Sequence, residues 1–446
     1  MPELPLRPPF TLRARLLSPR QDGSVLHEPD GLVEVDASGR LARVGAWRDS
    51  DGHASVVDLR PLVVMPGMVD LHVHLPQLPN AGLGAGLDLL TWLETHIFPL
   101  EGAYDRARAD IEAPAAFRAL AAAGTTTVVA YAALWADSTD AAFAAAEAHG
   151  IRAVIGKVMM DRGSYDRAID QRRILETSLA QSDELASRWH GRDSGRLRYA
   201  FTPRFAVSCT ADMLRESAGL AVHHGAYWQS HLSEDRGELE QVAALFPEAT
   251  DYLDVYDRAG ALGPRSILAH AVHLSPREVG RIVESDARVV HCPASNLFLA
   301  SGMMPLTAYR AAGMRVGLGS DVAAGPELSL FSVMRAGAVT QRALAATAAA
   351  PPDGIVDPLG WLRTATLDGA RVLGIDGDTG SLETGKEADL IAVDPRLTAP
   401  LPGAGTPADP EDLVSRLIFR PHPDMVRAAW VRGRLLAGPP GVDGIG

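Results

Sequence analysis

Between about residue 63 and residue 321, apolar β-branched runs alternate with Ala-rich helical runs, and eight strand-like runs emerge. No other feature narrows the fold as far. Strands separated by crossover helices lie parallel, and at this length a closed (β/α)8 barrel is the commonest solution. The strand-like runs are 63–74, 125–131, 153–159, 199–205, 226–232, 266–271, 288–292 and 314–321. Helical patterns fill the intervals at 107–122, 141–149, 174–189, 211–223, 239–245, 276–283 and 306–312.

At 446 residues the chain exceeds the usual single core, so a satellite unit is expected beside the barrel. Short β-like stretches at 32–35 and 41–44, separated by Asp-Gly and Ser-Gly turns, supply its first half. An Ala-rich helical stretch runs from Asp321 to about Leu373, and strand-like runs return at 390–393 and 426–431. The expected architecture is α/β: a TIM barrel over 65–375 and a small β-sandwich domain built from 1–64 and 376–446. The Gly/Pro-rich end, Gly438 to Gly446, is expected to fray. The uncharged run 119–136 looks superficially like a membrane span. Gly124 and three consecutive threonines divide it into a helix end, a turn and a buried strand.

Composition limits the partners. The 42 basic residues are outnumbered by 55 acidic ones, for a formal net charge of −13, so no global basic field draws nucleic acid or an anionic membrane. A small molecule is the expected partner. Two cysteines, Cys209 and Cys292, are too few for a disulfide scaffold and suit a reducing cytosol. They also cannot form the P-C-x-x-C zinc motif of nucleic-acid deaminases. Met1 to Phe10 holds four prolines and no apolar signal-peptide core, so a cytoplasmic protein is expected.

In a barrel, catalytic groups collect at the C-terminal ends of the strands. The polar residues there form a restricted set: His72 and His74 on the first strand, His231 on the fifth, His270 on the sixth and Asp321 on the eighth. Alternation along a strand sends His72 and His74 to the same face. Zn2+ takes imidazole nitrogen and carboxylate oxygen in tetrahedral geometry, with one position left open for water in a catalytic site. Glu234, three residues past His231, is placed to lean over the same site as a proton acceptor.

The segments 66–77, 89–99, 202–209, 229–234, 291–297 and 317–322 resemble those of the amidohydrolase superfamily and, more closely, of its guanine deaminase family. The Thr202-Pro203-Arg204-Phe205 segment and Gln77 discriminate best. The resemblance implies one Zn2+ per subunit held by His72, His74, His231 and Asp321. It implies that Glu234 shuttles protons, that His270 hydrogen-bonds the attacking hydroxide, and that Asp321 assists proton transfer. Gln77 and Arg204 are then expected to bind polar edges of a purine, with Phe205 against its ring and His231 at the same pocket. Hydrolytic deamination of guanine to xanthine and ammonia is the implied reaction, and a homodimer the implied assembly. An amide, a fixed guanidinium fork and an apolar face suit a planar heterocycle independently.

Some positions depart from that pattern. Ser320 stands where the family commonly has threonine, and Ala323-Ala324 where it has small glycines. Lys157 falls on the third strand, whereas the carboxylated lysine that bridges two metals in other superfamily members belongs on the fourth, so a one-metal site is expected. The alternatives are deamination of a pterin, triazine or adenosine-type ring, or a barrel that keeps its ligands and serves as a non-catalytic scaffold.

Overall fold

The computed structural model describes residues 3–48, 56–163, 170–347 and 354–438. Four strands come first: β1 (Phe10–Pro19), β2 (Val25–Val35), β3 (Leu41–Ala46) and β4 (Val56–Pro66). Then follow β5 (Met68–His74), β6 (Thr125–Tyr131), β7 (Arg152–Gly156), β8 (Val158–Met159), β9 (Leu197–Pro203), β10 (Tyr227–Leu232), β11 (Ser266–His270), β12 (Arg288–His291) and β13 (Arg315–Leu318). The chain ends in β14 (Leu390–Val393), β15 (Val426–Val431) and β16 (Arg434–Ala437).

Strands β5, β6, β7, β9, β10, β11, β12 and β13 pair in that order, all parallel, and the two-residue β8 extends the edge of β9. This is the (β/α)8 barrel that the alternation predicts. Its strands are apolar and β-branched because they are covered on both faces; every residue of β5 and β6 is buried. The seam between β13 and β5 is closed past the end of β13, where Asp321 N donates to the His72 carbonyl at 2.7 Å and His74 N to the Val322 carbonyl at 3.1 Å. Gly319 makes that approach possible, since a Cβ there would lie 2.6 Å from His72 Cβ.

The strands from the two chain ends form one mixed sheet in the order β16-β15-β14-β4-β1-β2-β3, in which only β1 and β4 pair in parallel. The run 63–74, expected as a single strand, serves both sheets. Its first part pairs with β1 and β14, and its second with β6. The division falls at Gly67, whose N–H donates to the Asp389 carbonyl at 2.9 Å, and where any side chain would collide with Thr126. Apolar content is equally high on both sides of that glycine, so hydrophobicity alone does not mark the break.

The seven expected helices are present as Arg106–Ala122, Ala136–His149, Gln171–Trp189, Ala211–His224, Arg236–Leu245, Pro276–Ser285 and Leu306–Ala311. Several begin earlier than the apolar pattern suggests because a cap sets the start. Asp170 accepts from the backbone of Arg172 and Arg173, and Asp235 and Glu238 form a capping box. Helices Tyr252–Arg258 and Pro410–Phe419 were not expected. After Asp321 the chain is helical at Leu330–Thr347 and again from Pro358 to Leu373. The end of the Ala-rich stretch and the terminal residues from 439 onward lie outside the described residues. The run 119–136 divides as expected, with Gly124 (φ +101°) between the helix and β6. Among the described residues no helix is long and apolar enough to cross a membrane.

Candidate active site

The C-terminal ends of β5, β10, β11 and β13 bring the predicted residues together. Nε2 of His72 and of His74 are 3.2 Å apart, and Nε2 of His231 is 3.3 Å from that of His74. Asp321 Oδ1 lies 3.2 Å from His72 Nε2 and 3.4 Å from His74 Nε2. Tetrahedral ligation with bonds of about 2.0–2.1 Å places donor atoms roughly 3.3–3.4 Å apart. The four spacings match that edge length, so these donors could hold a metal ion.

The surroundings aim the donors. His231 Nδ1–H donates to the Arg204 carbonyl at 2.7 Å, which leaves the lone pair on Nε2, facing the ring of donors. The Tyr131 ring packs on His72, His74 and His231 with centroids 4.6–4.9 Å away and fixes their planes. Asp321 Oδ2 accepts from Ser295 Oγ at 2.6 Å. Asp70, wholly buried, accepts from the backbone of Ser320 (2.9 Å) and His72 (3.3 Å), tying the eighth strand end to the first. Burial pushes its carboxyl up to about 6. Ser233, His270 and Asp321 all adopt positive φ, a conformation held here by the barrel rim.

Electrostatics separates the groups by role. Burial, with His72 close by, holds the imidazoles of His74 and His231 well below their usual pKa, so both are neutral. Burial opposes ionisation of Asp321, but His72, His270 and His231 overcome it and keep this carboxyl below the ordinary range. Glu234 goes the other way: burial and the nearby Asp321 raise its carboxyl well above normal. Glu234 Oε2 lies 3.3 Å from His270 Nε2, and its Oε1 has no protein hydrogen-bond partner among the described residues. His270 Nδ1 pairs with Asn296 Oδ1 at 2.9 Å, which leaves Nε2 as the acceptor facing Glu234 and Asp321; burial lowers its pKa to about 4.

A cleft opens at these groups, lined by His74, His231, Glu234 and Asp321 together with Gln77, Arg204, Phe205 and Leu93. All the predicted site residues are therefore close to one another, although His72 and His270 do not themselves line the cleft. Lys157 does not join them. It closes the third barrel strand, as expected, but its Nζ donates to Ser178 Oγ (2.8 Å) in the helical layer.

One carboxylate, behind the cleft-lining Gln77 and Arg204, went unrecognised in the sequence. Glu101, in the short helix Phe98–Gly102, is wholly buried; its Oε1 accepts from Gln77 Nε2 at 2.7 Å and its Oε2 from Arg204 Nη1. It also lies 3.8 Å from His74 Nδ1. The family-like segment 89–99 stops two residues short of it, and a Glu two residues after a proline reads as helix surface. Ala324, one of the departures from the family pattern, lines the cleft, and the backbone of Ala323 approaches Gln77 Oε1 at 3.5 Å.

Comparison with known proteins places these residues in context. A model of the amidohydrolase family matches residues 63–436. The chain is 37% identical over 414 residues to a probable guanine deaminase of Deinococcus radiodurans, covering 91% of this chain and 92% of that protein. It is 34% identical to the guanine deaminase of Escherichia coli, over 83% and 82% of the two chains. Among solved structures, guanine deaminase from C. acetobutylicum with guanine bound in the active site superposes with a TM-score of 0.88 at 28% identity, covering 96% of this chain and 99% of that one.

Proposed function

We infer that this chain, which belongs to the amidohydrolase family, hydrolyses guanine to xanthine and ammonia. The observation that carries the reading is one continuous cleft. It is lined by His74, His231 and Asp321, which with His72 stand at metal-ligand spacing, and by Gln77, Arg204 and Phe205. We extend the reading, on family resemblance, to one Zn2+ per subunit, a homodimer and a cytoplasmic setting.

Replacing the exocyclic amine requires hydroxide at C2, a proton on a ring nitrogen and a proton on the leaving amine. His72, His74, His231 and Asp321 would hold the Zn2+, which would supply hydroxide at neutral pH by making a bound water acidic. Glu234 accepts the water proton and passes it to the ring nitrogen. Its raised proton affinity suits a group that must hold the proton between the two events. His270 Nε2 accepts the O–H of the attacking hydroxide and turns its lone pair toward C2. Asp321 assists transfer of the last proton to the amine, which departs as ammonia. Phe205 supplies the apolar face, and Gln77 with Arg204 the polar edge, that keep the ring in register with Glu234.

The test is ammonia release by zinc-loaded protein from a panel of guanine, other aminopurines and pterins. Guanine is expected to be the preferred substrate. Turnover of another ring with none of guanine would overturn the substrate and leave the metal chemistry standing.

A further inference from the structure

We propose that Glu101 is a positioning residue that sets the hydrogen-bond polarity of the edge-reading pair Gln77 and Arg204, and thereby makes the cleft read a lactam edge. The proposal rests on the reading of this cleft as the guanine site. A carboxylate only accepts, so the amide nitrogen of Gln77 must face Glu101 Oε1 (2.7 Å) and its carbonyl must turn away. The Ala323 N–H, 3.5 Å from Gln77 Oε1, favours the same orientation, but a bond that long is weak, so Glu101 supplies the main constraint.

The second oxygen of the same carboxylate takes Arg204 Nη1, and the guanidinium also lies over the Phe98 ring, 5.5 Å from its centroid. Arg204 offers donors only. One carboxylate thus orders an acceptor, Gln77 Oε1, and an adjacent set of donors. Guanine carries the complementary pair on its six-membered ring, the N1–H donor beside the O6 acceptor. In 2,6-diaminopurine the same edge is reversed, with N1 accepting and the 6-amino group donating.

Burial makes the arrangement rigid. Gln77, Glu101 and Arg204 are each at most 2% exposed, so no bulk water substitutes for a lost partner. The negative charge of Glu101 also offsets the buried guanidinium of Arg204.

The test compares equilibrium binding of guanine and of 2,6-diaminopurine to the zinc-loaded protein, wild type at positions 77 and 101 or substituted there, with Glu234→Gln present throughout so that the rings are bound and not turned over. Wild type is expected to prefer guanine by about 100-fold or more, because a site built around paired donors and acceptors rejects the reversed edge. In Glu101→Gln the Gln77 amide is free to turn over, and the preference is expected to fall by about tenfold or more with zinc content unchanged. In Gln77→Ala, adding Glu101→Gln should then change the preference little, since the two act through the same group. Glu101→Asp keeps the negative charge beside Arg204 but is too short to span both partners. It provides the answer if the Gln variant fails to fold, and its preference should fall likewise. Loss of affinity for both rings by the same factor, or a wild-type preference in Glu101→Asp, would overturn the proposal. Because the readout is binding, absence of ammonia release by the protein with Glu234 in place, alongside an intact preference, would refute the inferred reaction and not the role of Glu101.

Discussion

Replacing Glu234 with glutamine tests the inferred chemistry most directly. The substitution conserves volume, and none of the four ring donors changes. A carboxyl that can take and return a proton becomes an amide that does neither. Glu234 lies 3.3 Å from His270 Nε2 and has one oxygen without a partner among the described residues, so little packing or hydrogen bonding depends on it. One positioned acid–base group typically contributes ~10²–10⁴-fold. Two successive transfers pass through this one, so kcat is expected to fall by about 10³–10⁴, or roughly 4–5.5 kcal/mol of barrier. KM should stay near its wild-type value, because the lost interaction belongs to the transition state. Steady-state ammonia release from guanine gives the rate, and elemental analysis of the same sample gives the zinc content. A variant holding one zinc per chain with kcat within about threefold of wild type would remove Glu234 from the proton path; loss of zinc together with activity would make it a ligand instead.

Three further outcomes follow from the same geometry. Arg204→Ala should raise the KM for guanine far more than it alters zinc content, and unchanged kcat/KM would place the purine elsewhere. Lys157→Met should leave kcat unchanged and raise stability by about 1–4 kcal/mol, read as a higher Tm. Burial lowers the Lys157 ammonium to about 7, so the folded state loses stability as pH falls from the unfolded value near 10.5 toward 7, a penalty methionine lacks; destabilisation or lost turnover would show an unrecognised role. Burial likewise lowers His291 to about 3, and neither ring nitrogen has a hydrogen-bond partner among the described residues. Its contribution is therefore present above pH ~6.5 and lost as pH falls toward 3, at up to about 1.4 kcal/mol per pH unit. Denaturant titrations of His291→Leu should show that acid dependence reduced relative to wild type, and an unchanged slope would exclude His291 as its source.

Much of the fold was legible because burial on both faces leaves a continuous apolar signature in parallel strands. The strand-like runs at 125–131 and 226–232 match β6 and β10 to within a residue. The run 63–74 was misjudged because both of its halves are equally apolar, and only the steric conflict of Gly67 with Thr126 reveals the crossing between sheets. The helix Tyr252–Arg258 was missed because it is short and owes its place to tertiary contacts: Tyr252 donates to Glu238 and Tyr256 to the His231 carbonyl. Of the site, His72, His74, His231, His270 and Asp321 were identifiable because strand ends in a barrel share one mouth. Glu101 was not, since nothing local distinguishes it from a solvated helix carboxylate.

By itself, then, the sequence determined the alternation that builds the barrel, the residue types at its rim and the class of chemistry they support. Those properties are local: periodicity, burial pattern and functional group are all carried by a residue and its immediate neighbours. Tertiary structure alone decided that four donors from three distant strand ends stand 3.2–3.4 Å apart. It alone brought Glu101, 24 residues from Gln77 and 103 from Arg204, between them. Distances of that kind come from closing a twisted sheet on itself, and chain separation carries no record of them.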